Sequence, residues 1–197
     1  MKHNRFGQAK ILSPSELDEL IDLLPAGIHR TLAHVLRRTS VRVSEALQLR
    51  WEFISDGVIL FPAPITKRKR SRPIPLHPIL KRELEWWKLQ HSEPIKGADF
   101  IFKGRNPQSH LSRQAFDLVL RQVCELMGVK GVSTHTFRRS CLTHLKDQKV
   151  DLRTIQSISG HASLDQLERY LSVSERDQIA AIALLQRAEI VIALLPL

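Results

Sequence analysis

This sequence has little of what builds disulfide-rich or metal-binding proteins. It contains only two cysteines, Cys124 and Cys141, in 197 residues. Both fall within apolar patterns of helical period, so we expect reduced core thiols in a cytoplasmic protein rather than a disulfide framework. There is no His-Glu-x-x-His pattern, and two scattered cysteines do not build a zinc site, so we expect no metal. A Gly-x-x-x-x-Gly-Lys-Ser/Thr loop is also absent, which agrees with chemistry that needs neither ATP nor another cofactor.

Long apolar runs are missing as well. The first residues have no apolar core and no cleavage signal, so nothing directs secretion. The most apolar segment, residues 179–197, is interrupted by Arg187 and Glu189 and is too short and too charged for a membrane span. No repeat or low-complexity linker divides the chain. We therefore expect one domain over residues 1–197 and no association with membranes.

Acidic residues are scarce relative to basic ones. Twenty Asp and Glu stand against 30 Lys and Arg, which gives a net charge of +10 and a pI near 10.1. Because the positive charge collects in a few motifs, double-stranded DNA is a better candidate partner than a membrane surface. The alternative is a basic protein with no anionic partner.

The apolar periodicity predicts an α+β fold that is mostly helical. Ser13-Pro-Ser-Glu16 indicates a helix start, and Ser112 caps a long helix that ends at Gly128. The same periodicity predicts further helices in the rest of the chain. Between Gly57 and Leu76, β-rich residues alternate with prolines, which predicts one small, ragged antiparallel sheet with a basic loop at its tip. The further helices are a short one that carries Arg42 and those over residues 28–38, 77–90, 135–147, 151–159, 163–171 and 175–195.

Tyrosine is the rarest chemically useful residue, because Tyr170 is the only one. The stretch before it collects His135 and Arg138, three residues apart on one helical face, and His161 just after a glycine. A phenol can attack a phosphodiester, guanidiniums can neutralise the charge of the pentacoordinate phosphorus, and imidazoles can move protons. Together these residues indicate phosphoryl transfer. The alternative for Tyr170 is a half-buried core residue.

With these motifs in order, the chain resembles the catalytic domain of the tyrosine recombinase, or phage integrase, family. Arg42-Val-Ser-Glu45, followed by Leu-Gln-Leu-Arg-Trp51, resembles the first arginine box of that family. His135-Thr-Phe-Arg138 matches its His-x-x-Arg box, and Gly160-His161 followed by Tyr170 reproduces its Gly-His and nucleophile spacing.

The same resemblance identifies a lysine. Counting back from Arg72-Pro-Ile-Pro-Leu76 places the β-hairpin lysine of the family at Lys67. One departure is Ser40, two residues before Arg42, where the family commonly has glycine; we expect it to tighten or distort that turn. The resemblance covers about residues 10–175. No room remains for the N-terminal helical domain that closes a clamp around DNA in most members, so the chain works without it, borrows it from another polypeptide, or is a fragment.

The resemblance and the chemistry together assign roles to six residues. Two guanidiniums, those of Arg42 and Arg138, would clamp the non-bridging oxygens. Tyr170 would be the nucleophile, and the resemblance implies a 3′-phosphotyrosyl link and a free 5′ hydroxyl. His135 would take the phenolic proton, His161 would donate a hydrogen bond to a non-bridging oxygen, and Lys67 would protonate the leaving 5′ oxygen.

Alternatives remain for several of these residues. Arg42 and Arg138 could instead pair with an internal carboxylate such as Glu45, whose expected part is to orient a cation or cap its helix. Lys67 could belong to a solvated basic loop that touches phosphates without specificity. We expect additional phosphate contacts from seven residues: Arg68, Lys69, Arg70, Arg72, Arg105, Arg113 and Arg139.

The resemblance implies a site-specific DNA recombinase acting in integration, excision or inversion. We expect it to act as a homo-tetramer on DNA, in the bacterial cytoplasm at the nucleoid, encoded by a bacterium, phage or plasmid. Residues 174–197 would form a C-terminal helix exchanged with a neighbouring protomer, or packed on its own domain. A separate DNA-binding partner or domain would complete its clamp around DNA. The alternatives are a DNA-binding regulator or accessory protein that keeps the fold without strand exchange, and a relaxing enzyme resembling type IB topoisomerases.

Overall fold

The computed structural model describes residues 9–106, 108–168, 179, 182 and 183. Within them the fold is mostly helical with one small antiparallel sheet, as the periodicity predicts. The helices are α1 (Pro14–Leu23), α2 (Ile28–Thr39), α3 (Val43–Leu47), α4 (Pro78–Leu89), α5 (Arg113–Leu126), α6 (Thr134–Asp147), α7 (Leu152–Ser159) and α8 (Leu164–Glu168). The strands are β1 (Ile54–Ser55), β2 (Val58–Phe61) and β3 (Arg72–Pro75).

Local capping explains where several helices begin. The Ser13 hydroxyl accepts from the Glu16 amide at 3.1 Å, and the Glu16 carboxylate accepts from the Ser13 amide at 2.7 Å, which completes a capping box at α1. The Ser112 hydroxyl caps α5 by accepting from the Ala115 amide at 3.1 Å, and the Asp151 carboxylate caps α7 by accepting from Thr154 N at 2.9 Å. The predicted starts at Ser13, Ser112 and Asp151 are confirmed.

The sheet is as small and irregular as the prolines predict. Its strand order is β1-β2-β3, and β2 pairs antiparallel with β3 so that Ile59 lies opposite Ile74. Pro73 and Pro75 lack amide protons, which suits β3 to an edge position. Between β2 and β3 the chain makes a short 3-10 helix, Ala63–Ile65, and then a basic loop over residues 66–71. This connection carries Lys67 over one face of the protein.

The core positions the helices that bear the functional residues. Helix α2 is central and packs against α1, α4 and α6. A smaller cluster of Leu142, Ile155 and Leu167 holds α7 and α8 against α6. Cys124 and Cys141 are buried and not joined in a disulfide, and burial raises the pKa of the Cys124 thiol to about 11. Both cysteines therefore belong to the core, as their apolar patterns predict.

The C-terminal predictions fall largely outside the described residues. Tyr170 and almost all of the predicted segment 174–197 lie there; Ile179 and Ile182 are helical, and their side chains are 63% and 57% exposed. Over the part of the chain that the structure describes, no helix is both long enough and apolar enough to cross a bilayer.

Candidate active site

The residues that the sequence predicts to be functional come from four segments that converge at one end of α2. Arg42 directly precedes α3, and Arg138 lies in the second turn of α6. Lys67 is on the loop between β2 and β3, and His161 follows the glycine that ends α7. Residues separated by almost 120 positions in sequence are thereby brought to one place, which only the tertiary fold can achieve.

Arg138 is the innermost residue of the site, with only 1% of its surface exposed. Its Nη1 donates to the Ser40 carbonyl at 2.6 Å, and its Nη2 donates to the Ser159 carbonyl at 2.7 Å. Nη2 also lies 3.1 Å from Nε2 of His161. The guanidinium therefore joins the end of α2, helix α6 and the end of α7. This geometry fixes its orientation in advance, as expected of a preorganised charge.

Ser40 makes the first of these contacts through an unusual backbone conformation. It ends α2 with φ of 53°, in the left-handed region that glycine enters most easily. Serine therefore adopts here the turn for which the resembling family commonly uses glycine. The turn directs the Ser40 carbonyl inward, where Arg138 satisfies it.

Glu45 is the second buried centre, with 1% of its surface exposed. Its carboxylate accepts from Arg42 Nη1 at 3.1 Å, from Arg72 Nη2 at 3.0 Å and from the Lys67 amide at 3.2 Å. Burial raises the pKa of this carboxyl, but the Lys67 amide and the two guanidiniums outweigh it and leave the pKa below its usual value. Glu45 is therefore a carboxylate that ties Arg42 to the base of the lysine loop.

The contact of Arg42 with Glu45 is the internal pairing considered as an alternative to phosphate binding. The two roles are compatible, because a guanidinium has five N–H donors and this pairing uses Nη1. The Arg42 side chain also remains 17% exposed. The carboxylate holds one edge of the guanidinium while the side chain stays reachable from solvent.

The sequence predicts Arg72 as a phosphate contact, but its side chain is largely buried in the structure. Only 11% of its side chain is exposed, and besides Glu45 it donates from Nη1 to the Ser159 carbonyl at 3.3 Å. The reason is strand alternation, because Arg72 shares a face of β3 with buried Ile74. Its guanidinium also approaches Gly160 so closely that a Cβ there would lie 1.8 Å from Nη1. Arg72 belongs to the internal cluster.

Ser159 was not singled out from the sequence, yet it connects three functional residues. Its carbonyl accepts from both Arg72 and Arg138, and its hydroxyl lies 2.8 Å from Nδ1 of His161. The signal is weak: Ser159 is the last residue of α7, where carbonyls lack helical partners, and it directly precedes the Gly-His pair. Nothing in its residue type indicates this role.

His161 is held as a neutral ring. It is 7% exposed, and burial together with the positive charge of Arg138 and Arg42 lowers its pKa to about 3. Because a guanidinium can only donate, the ring nitrogen nearer Arg138, Nε2, accepts, and the single proton lies on Nδ1 facing the Ser159 hydroxyl. In this arrangement the donor hydrogen of His161 points to Ser159.

This environment predicts a pH dependence of stability. In the unfolded chain the imidazole titrates near 6.5, so protons favour unfolding once the pH falls below that value. The contribution of His161 is complete above the unfolded pKa and is lost as the pH falls toward the folded value, by at most about 1.4 kcal/mol per pH unit. Urea unfolding between about pH 7.5 and 5 should show a shallower slope for His161→Gln than for wild type. Equal slopes for His161→Gln and wild type would contradict the buried neutral ring. The control is His135→Gln, which alters an exposed ring and should keep most of the wild-type slope.

His135 is on the same helix as Arg138 but is exposed. Partial loss of solvent and the positive charges of Arg113, Arg138 and Arg42 lower its pKa, and Asp117 acts in the opposite direction. The ring is therefore neutral near pH 7 and faces solvent beside the buried guanidinium. A neutral, reachable imidazole is able to accept a proton.

The basic loop forms one wall of the site. Lys67, Arg68, Lys69 and Arg70 are exposed, and the Lys67 backbone is anchored by Glu45. Arg68 reaches across to donate a hydrogen bond to the Gln166 side chain in α8. The loop thus spans from α3 to the helix that leads toward residue 170.

The remaining predicted contacts divide by position. Arg105 is exposed, and Arg113 is exposed at the start of α5, where it pairs with Asp117 at 3.4 Å and influences His135. Arg139 is partly buried and donates to the Ala9 carbonyl, so it points to the N-terminal segment instead of the site. A residue next to Arg138 on a helix faces another direction.

No group of three or more His, Cys, Asp or Glu side chains with metal-binding geometry occurs among the residues described. The site is instead dominated by guanidiniums, with one buried carboxylate. A guanidinium pairs well with the accessible, negatively charged oxygens of a phosphate, so such a site suits a phosphodiester.

Two recombinases are among the solved structures that share this fold. The XerA recombinase structure superposes with a TM-score of 0.73 at 18% identity, covering 93% of this chain and 65% of XerA. A post-cleavage complex of XerH with a palindromic difH substrate gives 0.74 at 21% identity, covering 89% of this chain and 52% of XerH. The fold is therefore that of tyrosine recombinase catalytic domains.

Sequence similarity extends the comparison. The chain is 28% identical over 179 residues to the tyrosine recombinase XerD of Listeria monocytogenes (strain EGD-e), covering 86% of this chain and 60% of that protein. It is 28% identical over 152 residues to the tyrosine recombinase XerC of Staphylococcus aureus (strain Mu3), covering 75% of this chain and 49% of XerC. It thus spans about half to three fifths of the length of these relatives. Residues 10–176 match the phage integrase family, and the chain belongs to that family.

Proposed function

We propose that this chain is the catalytic domain of a site-specific DNA recombinase that cleaves and rejoins strands through Tyr170. The observation that carries the proposal is a cluster in which buried Arg138 contacts His161, Glu45 holds Arg42, and burial and both guanidiniums lower the pKa of His135 and of His161. Family membership and the recombinase relatives support the same reaction class. A net charge of +10 supports DNA as the substrate.

In the proposed reaction, the Tyr170 oxygen attacks a backbone phosphorus and forms a 3′-phosphotyrosyl bond as the bond to the 5′ oxygen breaks. His135 takes the phenolic proton, and Lys67 gives a proton to the leaving 5′ oxygen. Arg42 and Arg138 neutralise the charge that builds on the non-bridging oxygens. The covalent link conserves the phosphodiester, so the reverse attack by a 5′ hydroxyl rejoins DNA without another energy source.

His161 would assist through a hydrogen bond to a non-bridging oxygen. Its proton faces Ser159 in the DNA-free protein. Donation through Nε2 therefore requires the ring to rotate or to gain a proton when the phosphate binds. A bound phosphate favours protonation, because its negative charge opposes the effect of the surrounding guanidiniums.

The proposed assembly is a homo-tetramer on DNA, acting at the bacterial nucleoid in integration, excision or inversion. Residues 174–197 would couple protomers by docking on a neighbour. A separate DNA-binding polypeptide or domain would complete the clamp around DNA. The single-domain organisation over residues 1–197 belongs to the same proposal.

The test is a covalent trap. Wild type and Tyr170→Phe are incubated at low salt with nicked duplexes from the DNA flanking the gene, and adducts are resolved on a denaturing gel. We expect an adduct with wild type and none with Tyr170→Phe, which keeps the fold and DNA binding but lacks the nucleophilic oxygen.

Salt-sensitive DNA binding without any wild-type adduct would contradict the proposal and favour a DNA-binding regulator. Relaxation of supercoiled plasmid without dependence on paired sites would instead identify strand relaxation of the type IB kind. Circular dichroism of Tyr170→Phe provides the control for folding.

A further inference from the structure

A cleft of about 500 Å³ lies directly beside the catalytic residues, between the loop over residues 66–72 and helix α7. Four arginines line it, and we call it the arginine cleft: Arg68, Arg70, Arg72 and Arg153. Three of them were predicted from the sequence as phosphate contacts of the basic loop. Arg153, on α7, was not, and nothing in the motifs singles it out.

The charges of the arginine cleft are unbalanced. Within the described ranges the one carboxylate that lines it is Glu45, which is already shared by Arg42, Arg72 and the Lys67 amide. Arg68 contacts only the neutral amide of Gln166 among the described residues. Over the same part of the chain, no carboxylate lies within 4.0 Å of the Arg70 or Arg153 guanidinium. The cleft thus presents guanidiniums whose charge no carboxylate of the described residues neutralises.

The neutral polar groups that line the cleft are also suited to contacting phosphate oxygens. Ser71 and Ser157 contribute hydroxyls, and Gln156 contributes a side-chain amide whose position is set by a hydrogen bond to the His161 carbonyl. Hydroxyls and guanidiniums are the groups that contact phosphate oxygens in protein–DNA complexes. His161 and Arg72 line the cleft and also belong to the catalytic cluster, so the two sites are continuous.

We infer that the arginine cleft binds the DNA backbone phosphate next to the one under attack, with Arg153 and Arg70 as its principal contacts. The inference rests on the proposed function, because it takes the scissile phosphate to lie at Arg42 and Arg138. Successive phosphates of a strand are only about 3.4 Å apart along the helix axis, so a strand that enters the catalytic cluster must place a neighbouring charge beside it. Arg72, which Glu45 and Ser159 occupy, positions the cluster and does not contact this phosphate.

The test measures binding and chemistry separately for Arg153→Gln. Affinity for a labelled duplex of about 30 base pairs is measured by fluorescence anisotropy across a series of salt concentrations. Loss of one phosphate contact should weaken binding and reduce the slope of log affinity against log salt by about 0.9. Adduct formation is also measured at saturating protein, where weaker binding no longer limits it, so that a loss of binding is separated from a loss of chemistry.

Two variants serve as controls. Arg82→Gln removes the same charge from an exposed position on α4, outside the cleft, and should leave the slope nearly unchanged. Arg153→Lys keeps a cation and should restore most of the slope. A slope for Arg153→Gln equal to that of Arg82→Gln would overturn the inference while leaving the proposed function intact.

Three other outcomes are also decisive. Loss of adduct at saturating protein with an unchanged slope would assign Arg153 to the chemistry and overturn the inference. Inorganic pyrophosphate that raises the melting temperature through Arg153, without any effect of Arg153→Gln on DNA binding, would identify the cleft as a site for a free phosphate ligand. No salt-dependent DNA binding by wild type would overturn the proposed function, and the inference with it.

Discussion

Arg138→Ala is expected to destabilise the protein by about 2–4 kcal/mol, because it leaves the buried Ser40 carbonyl without its donor and removes one of the two guanidiniums that donate to the Ser159 carbonyl. Each unsatisfied buried acceptor costs about 1–3 kcal/mol. The same change should slow adduct formation by about 10²–10³-fold, the usual effect of removing one preorganised charge donor. Urea unfolding gives the first quantity, and the covalent trap gives the second.

The neighbouring residue supplies a matched control for this experiment. Arg139→Ala removes a guanidinium from the same helix, but that guanidinium is partly buried and bonds to the Ala9 carbonyl outside the site. It should cost only about 0.5–1.5 kcal/mol, the worth of one hydrogen bond, and leave adduct formation unchanged. Equal unfolding free energies for the two variants would contradict the bridging role of Arg138.

Arg138→Lys separates charge from geometry. Lysine keeps one positive charge but replaces the planar fork with a single nitrogen, which is a poor match for two carbonyls and an imidazole approached from different directions. We expect it to recover part of the stability and little of the rate. Full recovery of the rate would show that the fork is not needed.

Local chemistry explains what the sequence could predict. Helix starts at Ser13, Ser112 and Asp151 depend on side chains that cap amides within three residues, so their signals are readable without the fold. The proline-rich strands are equally local, because missing amide protons confine β3 to an edge. The fold class follows from these elements.

The hydrogen bonds and ion pairs within the site could not be predicted in the same way. Ser159 acts mainly through its carbonyl, which every residue type possesses, so only the tertiary fold reveals it. Arg72 is predicted as a phosphate contact, although its alternation with Ile74 on β3 is a usable sign of an inward direction. Arg139 is predicted as a phosphate contact, but it lies next to Arg138 on α6, and adjacent helical residues face different directions. The motifs predicted the residue types of the site, and their partners depend on long-range packing.

Gly160→Ala is the second change with a large expected effect. Gly160 ends α7 with φ of 67°, where alanine costs about 1–2 kcal/mol from backbone strain alone. A Cβ would also lie 1.8 Å from Arg72 Nη1, so the guanidinium must move away from Glu45 and Ser159. Loss of these contacts should add about 1–3 kcal/mol.

Gly128 provides the control for backbone strain. Its φ is 66°, nearly that of Gly160, but a Cβ there would have nothing within 4 Å. Gly128→Ala should therefore cost the strain alone and leave adduct formation unchanged. The difference in unfolding free energy between the two alanine variants measures the displacement of Arg72.

A second-site change tests whether Arg72 is the cause. In an Arg72→Ala background the obstructing side chain is gone, so Gly160→Ala should cost no more than Gly128→Ala does in wild type. If the full cost persists there, the glycine is required for another reason. Adduct formation should follow the same pattern. When Arg72 is displaced, Arg42 is the remaining guanidinium that pairs with Glu45, so the Arg42 guanidinium is drawn inward and away from the phosphate. The glycine of the Gly-His motif would then be required by the arginine that packs against it as well as by the turn that it makes.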